Sequence, residues 1–579
     1  MKTFLSSLLG GIVALVLFMV LMPFLVIALV TTLASSASGP VKQPAAMVLE
    51  IDLREELADQ PATQGPAVLF QNSSFLDTIT KINAAAKDPH VKGIYIRANE
   101  FGIGSSRAEE LRAVLHTFRK SDKFVIAHSQ GMIGSGPSSL RAIAAADELW
   151  LQPGSDILVN GISFETLFMK DLFDNLNITA EIEQFHEYKN APNVYKQTDY
   201  TQYHREAMTA LASDLWTISL EDIATDRGFA SVDALKTLLE KGPMSAQEAV
   251  DSKLFTGLKW PEDTKEAALE RAGLRAEIVS IADYVPPAKK GEAPVIAVIG
   301  GEGGIITGKG EQGFFDSEAV FASDRISKAL LDAGRDKNVK AIVFRVDSPG
   351  GSAIASDQIW RAVQRVRKDM GKPVIVSMGS VAASGGYYVS AGADAIFASR
   401  TTITGSIGVF GGKFAIADGL RKIGINPSTV SVGGDFATAF STEKFSDEQR
   451  SQLRESLQRT YDRFMTIVSE GRDMPEAKVR EIAKGRVWSG NSAAELNLVT
   501  DIGGFLEAVE KAKELSGISA DSAVNVQIYP APENPFEAFG EMFGASAETQ
   551  ETAAKITKIL EDERFQAFIE QAGTTTQKR

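Results

Sequence analysis

A repeat held at one offset constrains this chain more than anything else in it. DPHVKGIYIR (88–97) and DKNVKAIVFR (336–345) agree at five of ten positions, 248 residues apart. Further on, IAAADELWL (143–151) answers SAGADAIFA (390–398) at an offset of 247. Register kept over about sixty residues means two copies of one folding unit. In the first copy, VKGIYIRA, KFVIAHS and DELWLQP read as strands, with the amphipathic helix SRAEELRAVLHTFRKS (105–120) between them. The second copy repeats the order with APVIAVIGG (293–301), VKAIVFRVD, KPVIVSM and DAIFAS. Near-continuous apolar strands alternating with helices form parallel βαβ units, so the predicted fold class is α/β with two tandem, duplicated domains.

At 579 residues the chain is too long for one core. Its expected organisation is an N-terminal transmembrane anchor (1–34), a Ser/Gly/Pro linker (35–46), an N-terminal repeat (47–285), a C-terminal repeat (293–530) and a peripheral tail (531–579). No charged residue occurs from Leu8 to Leu33, and about 20 apolar residues suffice to cross a bilayer. Pro23 is tolerated in such a span, and Lys2 weakly favours an N-inside orientation. A cleavable signal ending near Ala34-Ser35-Ser36 is the alternative. The net charge of −14 argues against nucleic acid as a partner. With no cysteine, disulfides, thiol catalysis and cysteine–metal sites are excluded.

The copies differ where chemistry would sit. Ser384, in AASGGYY, corresponds to Pro137; Ser406, in TGSIG, corresponds to Val159; Lys189, in HEYKNA, corresponds to Phe436. A serine at the start of a helix, flanked by Ala382, Ala383, Gly385 and Gly386, is open to a substrate. The alternative is an ordinary N-cap serine beside packing glycines. VDSPGGSA (346–353) offers backbone N–H groups unshielded by Cβ atoms at Gly350 and Gly351, and a tight turn is its plain alternative. TITGSIGVFGGKF (402–414) reads as a Gly-rich loop whose Ser406 can hydrogen-bond an amine. A serine nucleophile needs a base. His90, His116, His128, His186 and His204 all lie in the first half, and no acidic partner for any of them suggests itself. Lys189 is the better candidate, provided that burial lowers its pKa from about 10.4 towards about 7–8.

The strings VDSPGGS, MGSVAASGGYY, TTITGSIGVFGG and EYKNA together resemble the signal peptide peptidase A (protease IV) family in its long, duplicated form. The resemblance covers roughly residues 1–530. It implies Clp protease/crotonase-like domains built of ββα spiral units. It also implies a membrane-anchored bacterial serine endopeptidase with a Ser/Lys dyad, which degrades cleaved signal peptides and other apolar peptides. By motif, Ser384 matches the nucleophile, Lys189 the general base, and Ser406 the hydroxyl that orients the lysine. The amides of Gly351 and Gly385 match the oxyanion hole. No metal or organic cofactor is implied. The expected partners are peptide substrates, the membrane and further copies of the chain in a homotetramer. The resemblance places the catalytic domain on the outer, periplasmic face of the cytoplasmic membrane. Shorter relatives keep serine and lysine in one repeat and build each site between subunits. Here Phe436 replaces a second lysine, so one site per chain is expected, formed between its own halves. Glu187 departs from the family pattern, and its carboxylate would oppose deprotonation of Lys189 if it pointed inward. Two other readings are a crotonase-type acyl-CoA enzyme, which needs a carboxylate in the site, and an inactive membrane scaffold.

Overall fold

A computed structural model describes residues 43–55, 57–61, 73–134, 136–287, 293–310 and 320–531. The expected anchor, most of the linker and all but the first residue of the tail lie outside these residues. Among the described residues no helix is long and apolar enough to cross a membrane.

Each repeat builds one sheet from the apolar runs. In the first repeat six strands lie in the order Gly257–Leu258, Glu148–Leu151, Phe124–Ser129, Val91–Arg97, Met47–Asp52 and Glu277–Ser280. Every pairing among them is parallel. The second sheet repeats this plan around Val339–Ser348, with Val295–Glu302 on one side and Val374–Ala383 on the other. Helices cover both faces, which is why successive residues such as Ile94 and Tyr95, or Ile342 and Val343, are all buried. The expected helical stretch (203–275) resolves into Gln202–Arg227, Val232–Leu239, Ala246–Asp251 and Pro261–Ala272. Its echo begins at Asp447–Gly471, where Ser446 and Gln449 form a capping box.

The halves share a core rather than touching at a hinge. One apolar cluster runs from Ile51, Leu111 and Val125 of the first repeat to Val343, Ile375 and Phe397 of the second. Two charge clusters pin the same seam. Arg345 is fully buried. It donates to both carboxylate oxygens of Asp59 at 2.8 Å, and to Glu110 at 2.8 and 3.2 Å. Glu109 accepts from Arg141 at 2.7 Å and from Arg400 at 3.0 Å, and Asp222 accepts from the same two guanidiniums.

Two segments differ from the sequence reading. The stretch 402–414 is not a loop: it forms the strands Ile403–Gly405 and Val409–Ala415. The latter pairs antiparallel with Thr179–Phe185 of the first repeat, Val409 opposite Phe185 and Ala415 opposite Thr179. The small residues before Ser384, whose Gly and Ala content reads as a loop after the strand KPVIVSM, likewise continue the strand Val374–Ala383. Gly379 leaves space for the Asp347 carboxylate, which accepts from the Val381 N–H at 3.0 Å. Ile403–Gly405 pairs with Val381–Ala383 on the other side. The backbone groups of both segments are thus satisfied by neighbours remote in sequence, which local composition does not encode.

Candidate active site

Ser384 stands where the strand Val374–Ala383 meets the helix Gly385–Ser390. Its backbone has φ 53° and ψ −114°, outside the regions a serine ordinarily adopts. Such strain persists only where the surroundings over-determine it, and it clusters at functional sites. The Ser384 N–H donates to Gly405 O at 2.8 Å. Its side chain makes no capping hydrogen bond, so the plain N-cap reading does not describe it. Gly350 (φ 102°) packs against this corner. A Cβ there would stand 2.6 Å from the Gly385 nitrogen and 2.9 Å from Ser384 Cβ.

Lys189 arrives from the other repeat, on the turn that follows the strand Thr179–Phe185. The antiparallel pairing of that strand with Val409–Ala415 carries the turn over the Ser406 corner. Lys189 is 3% exposed. Its Nζ lies 2.9 Å from Ser384 Oγ, 3.0 Å from Ser406 Oγ and 2.9 Å from Ser406 O. Burial disfavours the ammonium and brings its pKa from 10.5 down to about 7. The Glu187 carboxylate does not point inward: it accepts from Lys484 Nζ at 3.0 Å.

Gly351 and Gly385 complete the corner. A Cβ on Gly385 would lie 3.2 Å from both Gly350 Cα and Gly351 N. Ile305 bridges the glycine loop, its N–H donating to Gly350 O and its carbonyl accepting from Ser352 N–H. This bridge leaves out the Gly351 amide. Gly350 N–H donates to Ser348 Oγ at 3.1 Å, and that hydroxyl donates to Gly303 O at 2.6 Å. All five expected site residues therefore meet in one place: Ser384, Ser406, Gly351 and Gly385 from one repeat, Lys189 from the other. Chemically, an amine that loses its proton near pH 7 lies within reach of a hydroxyl proton, beside two closely spaced backbone amides.

Sequence reasoning missed the turn Lys484-Gly485-Arg486, which packs on the Lys189 turn. Its signal was available, because Lys241-Gly242 precedes Met244–Ser245 much as Lys484-Gly485 precedes Val487–Ser489.

The sequence profile described as Peptidase family S49 matches residues 117–275 and 366–519, once in each repeat and over more than half of the chain. The chain belongs to this family. Protease 4 of Haemophilus influenzae is 32% identical over 470 residues, covering 78% of this chain and 74% of that one. Protease 4 of Salmonella typhi is 30% identical over 503 residues, covering 82% and 79% respectively. The chloroplastic serine protease SPPA of Arabidopsis thaliana is 28% identical over 492 residues, covering 83% and 70%. The S49 chain described here is accordingly a serine peptidase, and both of its repeats carry the family's domain.

Proposed function

We propose that this S49 peptidase cleaves peptide bonds with Ser384 as nucleophile and neutral Lys189 as general base. The observation that carries the reading is the 2.9 Å separation of Lys189 Nζ and Ser384 Oγ in a buried site. Lys189 takes the Ser384 proton as Oγ attacks the scissile carbonyl, and the oxyanion forms against the Gly351 and Gly385 amides. Removing one such donor costs about 2.7–4 kcal/mol of transition-state stabilisation in comparable sites. The lysinium then protonates the leaving amine, which departs and leaves an acyl-serine. Water adds to the ester, giving its proton to Lys189. The lysinium passes that proton to Ser384 Oγ as the acyl–oxygen bond breaks, which releases the acid product and restores the serine and the neutral amine. Ser406 orients the amine through its hydroxyl and its carbonyl. A crotonase-type reaction would call for a carboxylate here, whereas Glu187 is engaged with Lys484.

The substrate class, cleaved signal peptides and other apolar peptides, follows from the family resemblance together with the small residues around Ser384. The uncharged run from Leu8 to Leu33 supports a single membrane anchor with the catalytic repeats on the outer face.

A pH–rate profile tests the base. The rate should rise with pH through about 7, because the lysinium below that value has no free electron pair and the neutral amine above it does. Cleavage of a fluorogenic apolar peptide between pH 5 and 9 reads this limb. Glu302 is the control, since burial and the facing Asp59 carboxylate push its pKa up to about 7 as well. Glu302→Gln should leave the limb in place. A flat profile, or a limb that vanishes in Glu302→Gln, contradicts the assignment.

We also infer that the chain assembles with copies of itself, four being the number the resemblance implies. The support is an incomplete symmetry. The helices Lys170–Asn175 and Ala417–Lys422 correspond at an offset of 247, as do the bonds Ile178 N–H to Phe173 O and Ile425 N–H to Leu420 O. At the same offset, the counterparts of the paired strands Thr179–Phe185 and Val409–Ala415 are 426–432 and 162–168. Neither counterpart forms a strand, and Val430 and Val432 are each 95% exposed. Segment 426–432 of one copy can pair with 162–168 of the next, a head-to-tail contact that closes into a ring. Val430→Asp/Val432→Asp should reduce the mass measured by light scattering in detergent to one protomer of 62.2 kDa. An unchanged mass would remove this interface.

A further inference from the structure

The turn Lys484-Gly485-Arg486 touches both the turn that carries Lys189 and the Ser406 segment that holds its amine, yet nothing in the dyad chemistry assigns it a part. The Lys484 carbonyl accepts from the His186 and Tyr188 N–H groups, each at 3.1 Å. On its other side, Gly485 N–H donates to Ile407 O at 2.9 Å, and Arg486 O accepts from Ser406 N–H at 2.7 Å. One turn thereby ties the lysine loop to the Ser406 loop. Gly485 has φ 84°, and a Cβ on it would stand 2.5 Å from Lys189 Cβ and 2.6 Å from Lys189 Cα and N. Backbone atoms cannot swing aside as a long side chain can. Around this contact, Lys484 Nζ engages Glu187, and Arg486 pairs with Glu206 at 2.6 Å. The Arg486 guanidinium also lies over the Tyr188 and Trp488 rings, at 5.0 and 4.3 Å. The repeat-one counterpart, Gly242, has nothing within 4 Å of its Cβ position. The two halves thus differ at this turn as they do at the serine and the lysine.

We propose that Lys484-Gly485-Arg486 is a positioning element of the active site, which holds Lys189 in line with Ser384 and keeps water from its amine. The inference rests on the Ser384/Lys189 reading and adds to it a third segment. Gly485 is required because only the absence of a Cβ lets this turn close on the lysine backbone. The titratable groups around the Lys189 turn are His186, Glu187 and Tyr188 on that turn, Lys484 and Arg486 on the covering turn, Tyr203 and Glu206 on the helix Gln202–Arg227, Arg454 and Tyr461 on the helix Asp447–Gly471, and Arg480. Glu187 and Glu206 are each held by a cation of the covering turn.

The test compares Gly485→Ala, Arg486→Ala, Gly242→Ala and Lys189→Met in the full chain, with the fluorogenic peptide assayed from pH 5 to 9. Gly485→Ala should lower kcat by about 100-fold with little change in KM, the usual cost of displacing a catalytic group by about 1 Å. Arg486→Ala adds no atom and should lower kcat by roughly 10-fold. It should also move the acid limb up by about half a pH unit or more, as water reaches the amine and favours its charged form. Gly242→Ala should keep both the rate and the limb. Wild-type kcat and limb in Arg486→Ala overturn the proposal, as does equal impairment of Gly485→Ala and Gly242→Ala. If Gly485→Ala does not fold, Arg486→Ala alone decides. Activity in Lys189→Met brings down the dyad reading and this proposal with it. An inert Lys189→Met beside fully active Gly485→Ala and Arg486→Ala brings down this proposal alone.

Discussion

Lys189→Met should abolish peptidase activity and at the same time make the folded chain more stable at neutral pH. General-base removal costs about 10²–10⁴-fold, and a serine hydroxyl left without its base should fall at the high end, as should Ser384→Ala. The stability gain comes from the same burial that tunes the lysine. Unfolded, the amine titrates near its ordinary value of 10.5; folded, it titrates near 7. Above about 10.5 both states are neutral and burial carries no proton penalty. As pH falls towards 7 the unfolded chain alone takes up the proton, so the penalty grows; below 7 both states are protonated and it stays at its full value. At about 1.4 kcal/mol per pH unit the gap corresponds to roughly 5 kcal/mol. The hydrogen bonds to Ser384 and Ser406 that methionine cannot make offset about half of this, at about 1 kcal/mol each. A net gain of about 2 kcal/mol in denaturant unfolding at pH 7, turning into a net loss of about 2 kcal/mol at pH 10.5, is expected. An inert variant that is also less stable at pH 7 would contradict the account of the depressed pKa.

Arg345→Leu should have the largest structural effect of any single substitution at the seam. Arg345 and Asp59 have no exposed side-chain surface, and Glu110 has almost none. Without the guanidinium, Glu110 is left a buried carboxylate with no cation and Asp59 keeps only Arg107 at 3.6 Å, which costs about 3–5 kcal/mol. Their pKa values would rise, so the loss should deepen as pH increases above the carboxylate range and ease in acid. Denaturant unfolding at pH 5 and 8 measures both features. Arg345→Leu with Asp59→Asn and Glu110→Gln should recover much of the loss, because the uncompensated charges are then gone. Equal stability of the single variant and the parent chain would mean that this cluster does not hold the halves together.

Much of the architecture was legible because the offset repeat reports on it twice. The strands VKGIYIR and VKAIVFR fall where the apolar runs placed them, and each pairs in parallel with its neighbours. Ser384, Ser406 and Lys189 stood out as mismatches between otherwise similar copies, Gly351 and Gly385 came from the motif resemblance, and the fold brings all five together. The pairing of Thr179–Phe185 with Val409–Ala415 was not legible, since its partners lie more than 200 residues apart and its glycines read as a loop. Nor was the strained backbone of Ser384, which is imposed by Gly350 of the loop after Val339–Ser348 and by Gly405 of a neighbouring strand. The Lys484-Gly485-Arg486 turn escaped notice because glycine and charge at a surface string are ordinary; only the lysine packed beneath it gives them meaning.

The central claim is that one chain supplies both Ser384 and Lys189 to the same site, and mixed assemblies test it most directly. Lys189→Met and Ser384→Ala chains, carrying different tags, are produced together, and assemblies containing both are isolated through the two tags in succession. If serine and lysine meet within a chain, every site in such an assembly lacks one of them, and peptide cleavage should stay at the level of either variant alone. Substantial cleavage by the mixed assemblies would show that Ser384 of one copy works with Lys189 of another.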